Sequence, residues 1–307
     1  VYYINANLPA AQSAFVGADN RPRWTGPACG APTVGPCATR INNAAGNQVT
    51  NAMVIKNQDV GRSWNFAASV MKTLQHGVSF KSAYSYGEAR NTIDAGSVAA
   101  GSFTGNPQSG DPNNPPLAFS FNSPGHRFFI AGSYSKEFFS FGQTTVSAYW
   151  EARTIGNANY VFSGDMNGDS ASGNDLIYIH RDQSEMNFSA FTASGRTFTA
   201  AEQAAAWDAY IAQDPYLSKH RGQYAERAAV FLPLVKRMDF SVSQDIFGSA
   251  GGARHLGQIR LDIVNFGNLL NSNWGVSQRL VQNQILTNGA VDAAGRATYR
   301  MAVVNGA

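Results

Sequence analysis

The feature that most constrains this chain is a pair of alternating segments between Lys236 and Asn271. Every second residue is apolar, and these are Met238, Phe240, Val242 and Ile246, then Ile259, Leu261 and Ile263. Because successive side chains of a strand point to opposite faces, the pattern predicts two strands that are apolar on one side only. The sequence GSAGGA lies between the segments and favours a tight turn.

The other face of this hairpin carries charges of both signs in the middle of the strands, as at Arg237, Asp239, Arg260 and Asp262. A soluble sandwich would place the apolar face in its core and the charges in water. A membrane barrel would place the apolar face in lipid and the charges in a wet lumen. The hairpin alone fits both arrangements.

Two further hairpins show the same alternation, at 63–89 around the turn at 75–77 and at 126–154 around the turn at 140–142. Short strands are predicted at 1–8 and 298–304. Connections alternate in length: those at 75–77, 140–142 and 248–253 are short, and those at 9–50, 88–123, 156–235 and 272–295 are long. This rhythm is typical of outer-membrane barrels, in which periplasmic turns are short and extracellular loops are long.

The predicted fold class is therefore all-β, an antiparallel transmembrane β-barrel segment of about eight strands with long extracellular loops. The predicted lipid-facing residues are Phe66, Val70, Phe80, Phe128, Ile130, Val146, Phe240, Val242, Leu261 and Ile263. The aromatic residues expected at the membrane interface are Trp64, Tyr84, Tyr86, Tyr134 and Trp150.

Composition agrees with this class. Charged residues make up 14% of the 307 positions, against roughly 25% in an average soluble domain. No apolar run is long enough for a transmembrane helix, which needs about 18 residues or more. The net charge of +3 is dispersed, so the sequence gives no support for nucleic-acid binding.

One helix is expected in a loop, at 200–213, because Thr199 and Glu202 form a capping box ahead of strong helix formers. The same long-loop regions contain the two cysteines, Cys29 and Cys37. We expect a disulfide that clamps an extracellular loop in an oxidising compartment. Two free thiols, or half of a metal site, are the alternatives.

The loop around 165–175 has oxygen-bearing side chains at alternating positions, Asp165, Asn167 and Asp169, with Asp175 beyond. This is the start of a calcium loop, but Leu176 stands where the bidentate glutamate should be. The preferred interpretation is a loop that caps itself by side-chain to backbone hydrogen bonds, with calcium binding as the alternative.

The remaining polar residues form no catalytic pattern. The five histidines are scattered, and no nucleophile elbow, phosphate loop or paired-carboxylate motif occurs, so no enzyme activity is predicted. The charged residues expected to face the lumen could contact a plug or a substrate, or pair with one another across the wall, which is the preferred interpretation. They are Arg127, Glu137, Glu151, Arg153, Arg237, Asp239, Arg260, Asp262 and Arg300.

Four stretches carry a more specific pattern: HRFFIAGSYSKEF at 126–138, GDMNGDSASGNDLIYI at 164–179, RMDFSVSQDIF at 237–247 and LDIVNFGNLLNSNWGV at 261–276. Together they resemble the C-terminal barrel of TonB-dependent outer-membrane receptors, in the Oar-like and SusC-like branch. The resemblance implies a 22-stranded barrel, to which residues 1–307 contribute one part, with the plug domain and N-terminal strands upstream.

This resemblance implies uptake of a scarce nutrient, of the siderophore, oligosaccharide or peptide class, across the outer membrane of a Gram-negative cell. The partners would be outer-membrane lipid, the transported ligand and the TonB complex, which would act through the missing N-terminal part. The alternative is an independent small outer-membrane barrel with an adhesive or structural role. A plug domain upstream of Val1 would support the receptor, and a signal peptide there would support the independent barrel.

Overall fold

A computed structural model describes residues 1–24, 51–250 and 253–303 of the chain. The fold is mostly β, with 44% strand, 12% helix and three helices. The helices are α1 (Ala99–Thr104), α2 (Ala200–Gln213) and α3 (Gly267–Leu270). Within these residues, no helix combines the length and the apolar character that crossing a membrane requires.

Strands of two to sixteen residues make up the rest of the regular structure. In chain order they are β1 (Tyr2–Asn5), β2 (Ser13–Ala14), β3 (Pro22–Arg23), β4 (Met53–Lys56), β5 (Arg62–Thr73), β6 (Val78–Asn91), β7 (Ala118–Phe119), β8 (Gly125–Phe139), β9 (Gly142–Arg153), β10 (Asn157–Ala158), β11 (Tyr178–Ile179), β12 (Phe191–Ala193), β13 (Arg196–Phe198), β14 (Gln223–Tyr224), β15 (Val230–Phe231), β16 (Val235–Ala250), β17 (Ala253–Ile263), β18 (Leu286–Val291) and β19 (Ala297–Met301).

Six long strands form an antiparallel meander in the order β17-β16-β9-β8-β6-β5, and β7 pairs with β6 beside it. We call these seven strands the main sheet. Each long strand pairs with the one that precedes it among the six, so the three predicted hairpins are confirmed. All long connections consequently leave the sheet at one end, and all short turns lie at the other.

The register of the main sheet places the predicted apolar residues on one face. Phe66 pairs with Tyr86, which pairs with His126, and Val146 pairs with Val242, which pairs with Leu261. Directly paired residues of neighbouring strands share a face. By this rule all ten predicted lipid-facing residues and all five predicted interface aromatics lie on the same side. We call this side the apolar face and the other the polar face.

The short turns depend on two glycines that lie against a neighbouring strand. Gly77 has φ +78°, and a Cβ atom there would lie 2.0 Å from the carbonyl oxygen of Ser135. A Cβ atom on Gly142 would lie 1.9 Å from the carbonyl oxygen of Asp245. Only glycine fits this close an approach of two backbones, and both turns occur where the sequence predicts them.

The main sheet is curled with its polar face on the inside. A cavity of about 670 Å³ on that side is lined by Met71 of β5 and by Arg260 of β17, the two edge strands. Six flat strands would span roughly 24 Å, since neighbouring strands lie about 4.8 Å apart. One cavity of this size can touch both edges only if the sheet bends around it. The sheet does not close, however, and a barrel is not confirmed.

The buried core lies in the long connections and not in the main sheet. Of the buried apolar residues that the structure describes, only Ala118 and Ala152 belong to the main sheet. The larger cluster combines Phe15, residues between Tyr160 and Ala225, and residues between Ile285 and Tyr299. We call this cluster, with the segments 13–24, 158–230 and 283–301 that surround it, the connection core. A smaller cluster joins Tyr3, Leu8, Trp24, Ile93 and Phe103.

Two segments predicted as barrel strands lie outside the main sheet. β1 pairs with β4 in a two-stranded sheet, and β19 pairs with β18 in another. The predictions that 1–8 and 298–304 are membrane strands are therefore wrong, and six strands, not eight, have the long alternating pattern. The physical reason is burial: Tyr3 and Tyr299 are almost fully covered, so these segments pack into clusters formed by the connections.

The predicted loop helix is confirmed, with the bounds Ala200–Gln213 and the complete capping box between Thr199 and Glu202. The prediction of a single helix is wrong, because α1 and α3 are also present. α3 belongs to the stretch 261–276, which begins within β17 and continues beyond it. There the Phe266 ring packs 5.4 Å from Phe240, and Trp274 packs 6.3 Å from Trp150, so this stretch covers one end of the apolar face.

Candidate functional site

The polar face of the main sheet carries a charge network around Glu151 of β9. Its carboxylate lies 3.3 Å from Arg127, 3.7 Å from Arg153 and 3.9 Å from Arg237. The Tyr149 hydroxyl donates a further hydrogen bond to it, at 2.9 Å. Cross-strand pairing produces this convergence, because Glu151 stands opposite Arg237 on one side and is flanked diagonally by Arg127 on the other.

Two more predicted charged pairs lie on the same face. Asp239 is 2.9 Å from Arg237, and Asp262 is 2.8 Å from Arg260. Seven of the nine predicted lumen-facing charges therefore share the polar face and pair with one another, as the sequence analysis preferred. Glu137 lies in the irregular part of β8 beyond Lys136. Arg300 lies on β19, outside the main sheet, so its assignment to the lumen wall is wrong.

This arrangement is suited to a wet interior surface. Arg127 and Arg153 keep about half of their side-chain surface exposed, whereas Glu151 is buried. Three arginines share Glu151 and Asp239, which leaves one surplus positive charge in the group. The polar face can thus hold polar groups of a ligand or of another protein segment, but its described residues form no nucleophile–base pair.

The connection core is organised around a buried ion cluster that the sequence analysis missed. Arg21 is fully buried and lies 3.0 Å from Asp19 and 3.5 Å from Asp175. Its guanidinium also donates to the carbonyl oxygen of Leu176 at 2.8 Å. The cluster ties the segment 13–24 to the loop at 165–176, which lies about 150 residues further along the chain.

Aromatic rings enclose the same guanidinium. It lies 5.0 Å from the ring of Phe162 and 5.3 Å from the ring of Tyr224. The Tyr224 hydroxyl donates to Asp19 at 2.9 Å. Burial alone would raise the pKa of Asp19, but Arg21 and these hydrogen bonds outweigh it and hold the pKa below its usual range. Because no local pattern links residues so far apart, sequence inspection gave no signal for this cluster.

The predicted calcium ligands come together in one loop, and the loop caps itself. The two carboxylate oxygens of Asp165 accept hydrogen bonds from the backbone of Gly168 and Ser170. The side chains of Asn167, Asp169 and Asp175 accept hydrogen bonds from the backbone N–H groups of Asp169, Ala171 and Met166. These contacts are the side-chain to backbone hydrogen bonds of the self-capped loop, the interpretation preferred from the sequence.

The electrostatics of this loop follow from burial. Burial and repulsion by Asp165 raise the pKa of Asp169 to about 6. Burial raises the pKa of Asp175 to about 7, because Arg21 offsets only part of the desolvation and the neighbouring carboxylates add to it. Across 1–24, 51–250 and 253–303, no group of three or more His, Cys, Asp or Glu side chains is arranged to hold a metal ion.

His180 is a second buried polar group of the connection core. Its Nδ1 accepts a hydrogen bond from the indole N–H of Trp207 at 3.1 Å, so this nitrogen is unprotonated. Burial lowers the pKa of His180 to about 4. The imidazole is therefore neutral near pH 7 and serves to hold α2 against the core.

A polar cavity of about 690 Å³ opens beside the ion cluster. Its lining includes Asp19, Tyr178, Arg181, Glu185, Tyr224 and Arg296. Arg181 lies 3.6 Å from Glu185, and Arg296 lies 2.9 Å from Asp292, so the charges around the cavity are paired within the protein. Such a cavity offers hydrogen-bonding groups without a net charge.

Cys29 and Cys37 lie outside the described residues, so their disulfide stays a prediction. Comparisons of this chain with protein-family models, with curated proteins and with solved structures found no match. The geometry of the main sheet and of the connection core is therefore the basis for a functional assignment.

Proposed function

We propose that this chain forms part of the wall of an outer-membrane β-barrel of the TonB-dependent receptor class. The barrel would take up a scarce nutrient across the outer membrane of a Gram-negative cell. The connection core would lie at the cell surface, and the three short turns would lie in the periplasm.

One observation carries this proposal. Apolar side chains from all six long strands share one face, and large ones such as Phe66, Val70 and Leu261 are more than half exposed there. The opposite face is polar, paired by charge and curled around a cavity. This is the polarity of a membrane barrel and the reverse of that of a soluble sandwich.

The unpaired edges of the sheet support a larger wall. Among the described residues, β5 and β17 each have a long strand on one side only. Lipid does not tolerate an open edge, because its backbone groups would have no hydrogen-bonding partner. Further strands, as in a receptor barrel, would pair with both edges.

The folded connections support a role in ligand capture. Long loops of outer-membrane barrels are extracellular, and here they form a packed core with a polar cavity beside Asp19. The cavity is suited to a polar nutrient, but its residues do not distinguish a siderophore from an oligosaccharide or a peptide. The plug and the energy-coupling segment would be supplied by sequence upstream.

Fluorescence quenching tests the membrane assignment. In a chain with Cys29→Ser and Cys37→Ser, single cysteines at Val70, Val242 and Leu261 would be labelled with a fluorophore, with Ser69 and Ser241 as matched polar-face positions. In phosphatidylcholine vesicles, brominated acyl chains should quench the first group, and aqueous iodide should quench the second. Equal iodide quenching at both groups would contradict the proposal.

A second experiment separates the receptor from an independent small barrel. The chain would be produced with a signal peptide, alone and joined to the sequence that precedes it in its open reading frame. A receptor portion should aggregate alone and fold when joined. A heat-modifiable monomer formed by the chain alone would instead favour an independent barrel with an adhesive or structural role.

A further inference from the structure

A third cavity, of about 470 Å³, lies between the C-terminal end of α2, the residues around β15 and the segment 278–280. Most of its lining is apolar. The apolar lining residues are Pro215, Val230, Phe231, Leu232, Pro233 and Leu280. Small-molecule sites usually have volumes of roughly 300–1,000 Å³, apolar walls and a few placed polar groups, and this cavity has each of these properties.

The polar groups of this lining include two cations, beside Tyr160, Asp214, Tyr216, His220 and Gln278. Lys219 and Arg279 both contribute to the lining, and both are exposed. Neither forms an ion pair with a carboxylate within the part of the chain that the structure describes, whereas ten other arginines do. Two cations without a partner beside an apolar cavity are complementary to an anionic head group.

Asp214 is the one carboxylate in the cavity lining, and its oxygens are used by the fold. Oδ1 accepts hydrogen bonds from the backbone N–H groups of Tyr216 and Leu217, at 2.9 and 2.8 Å. Oδ2 accepts from the Tyr160 hydroxyl at 2.6 Å. Asp214 therefore ends α2 and forms no ion pair with Lys219 or Arg279, so the described part of the lining leaves both cations open to an anionic ligand.

One residue of the apolar lining, Phe231, lies close to the end of the main sheet. The ring of Phe231 packs against Phe119 at 5.3 Å. Phe119 pairs with Arg90 of β6, which shares a face with Tyr84 and Tyr86 by strand alternation. The cavity therefore lies at the end of the sheet where the long connections begin, and the ion pairs of Arg90 with Glu88 and Glu226 separate it from Tyr86.

We propose that this cavity binds a single-chain fatty acid. Its acyl chain would lie among residues 230–233 and Leu280, and its carboxylate would lie beside Lys219 and Arg279. Arginine favours carboxylates because its planar guanidinium can donate two parallel hydrogen bonds. The volume suits one chain and not a lipid with several chains. This site is additional to the proposed transport function, which needs neither the cavity nor the two cations.

Photo-crosslinking tests the site. The probe is a twelve-carbon carboxylic acid that carries a diazirine at the end of its chain, added to the full chain in phosphatidylcholine nanodiscs. After illumination, mass mapping should find the adducts concentrated in residues 229–233 and 278–280. The methyl ester of the probe, which lacks the charge, should give roughly tenfold fewer adducts there, in keeping with the loss of charge-assisted hydrogen bonds.

Two variants separate specific binding from partitioning into lipid. The double variant Lys219→Gln, Arg279→Gln should lower the adduct yield at subsaturating probe by roughly tenfold. Lys56→Gln, Arg300→Gln removes the same two charge types outside the cavity and should leave the yield unchanged. Ala229→Phe fills the cavity and should lower the yield although both cations remain, with circular dichroism to verify that this variant is folded.

Adducts spread evenly over the apolar face, or a yield that the first double variant does not change, would overturn the fatty-acid site. This result is distinguishable from failure of the membrane assignment. A chain that stays in solution and does not enter nanodiscs would contradict the membrane assignment. The same probe would then be mapped on the chain in solution, where the location of the adducts still decides the fatty-acid proposal.

Discussion

The main sheet and the connection core place their apolar side chains in opposite ways. In the main sheet they lie on an exposed face, as Trp64, Phe66 and Leu261 do, and only two small residues are buried. In the connection core, Trp207, Ile211 and Leu217 are fully covered by protein. The long connections, whose sequence shows no regular alternation, thus bury apolar side chains in an interior like that of a globular protein. The segments with regular alternation leave theirs exposed on one face, and this exposure is the basis of the proposed membrane location.

The largest expected difference between the two regions is at their tryptophans. Trp207→Ala should lower the free energy of unfolding by about 3–5 kcal/mol, because it leaves a cavity at a fully buried position. Trp64 is 49% exposed, and Trp64→Ala should cost less than half as much. Urea titration in phosphatidylcholine vesicles measures both. Equal losses would remove the distinction between the regions.

The ion pairs of the connection core should contribute more to the free energy of unfolding than those of the main sheet. Arg21→Met leaves Asp19 and Asp175 buried without their cation and should cost about 3–5 kcal/mol. Arg260→Met removes the exposed pair with Asp262 on the polar face and should cost roughly 0–1 kcal/mol. Denaturant unfolding gives both values, and trypsin digestion should cut the connection core faster only in the first variant. If Arg21→Met unfolded at the same denaturant concentration as the wild type and were cut by trypsin no faster, the ion cluster would not be what stabilises the connection core.

The connection core should also respond to acid through His180. Burial lowers the pKa of this histidine to about 4, from roughly 6.5 in an unfolded chain. Its neutral form stabilises the fold above about pH 6.5, and this contribution is lost as the pH falls toward 4. The loss amounts to about 3 kcal/mol, at 1.36 kcal/mol per pKa unit.

The measurement is the difference in unfolding free energy between the wild type and His180→Gln at pH 7 and at pH 4. This difference isolates His180 from Asp175, whose raised pKa changes stability in the opposite direction over the same range. His76→Gln, in an exposed turn of the main sheet, is the matched control for the same substitution outside the connection core. A His180→Gln profile parallel to the wild type would contradict the expectation.

The two faces of the main sheet should differ when charge is introduced. Val242→Arg places a guanidinium on the apolar face and should cost roughly 2–4 kcal/mol in a bilayer. Ser241→Arg, on the polar face of the same strand, should cost little. Unfolding in lipid vesicles provides the comparison. In water a partly exposed valine tolerates arginine far better than in lipid, so equal small costs would indicate that the apolar face is not in lipid.

Calcium should have the smallest effect. Because the side chains of Asp165, Asn167, Asp169 and Asp175 already accept backbone hydrogen bonds, millimolar calcium should leave the melting temperature of chelator-treated protein unchanged. Magnesium serves as the control for ionic effects. A rise in melting temperature with calcium alone, abolished by Asp169→Asn, would restore the calcium site.

Local patterns in the sequence determined the parts of the fold that depend on near neighbours. Period-two alternation predicted the six long strands and their apolar face, because strand geometry fixes which residues share a side. The capping box predicted the bounds of α2, since Thr199 and Glu202 satisfy backbone groups three residues apart. The self-capped loop and the mutual pairing of polar-face charges followed from similarly local rules.

Only the tertiary structure decided where β1 and β19 lie and that the long connections share a core. The deciding contacts join residues far apart in the chain: Asp19 to Tyr224 across 205 positions, and Asp19 to Tyr299 across 280. β1 and β19 alternate much as wall strands do, so their pattern alone could not separate a lipid-facing position from a protein-covered one. Burial of their aromatic side chains against distant segments separates the two, because apolar surface is stabilised wherever it leaves water, whether the partner is lipid or protein.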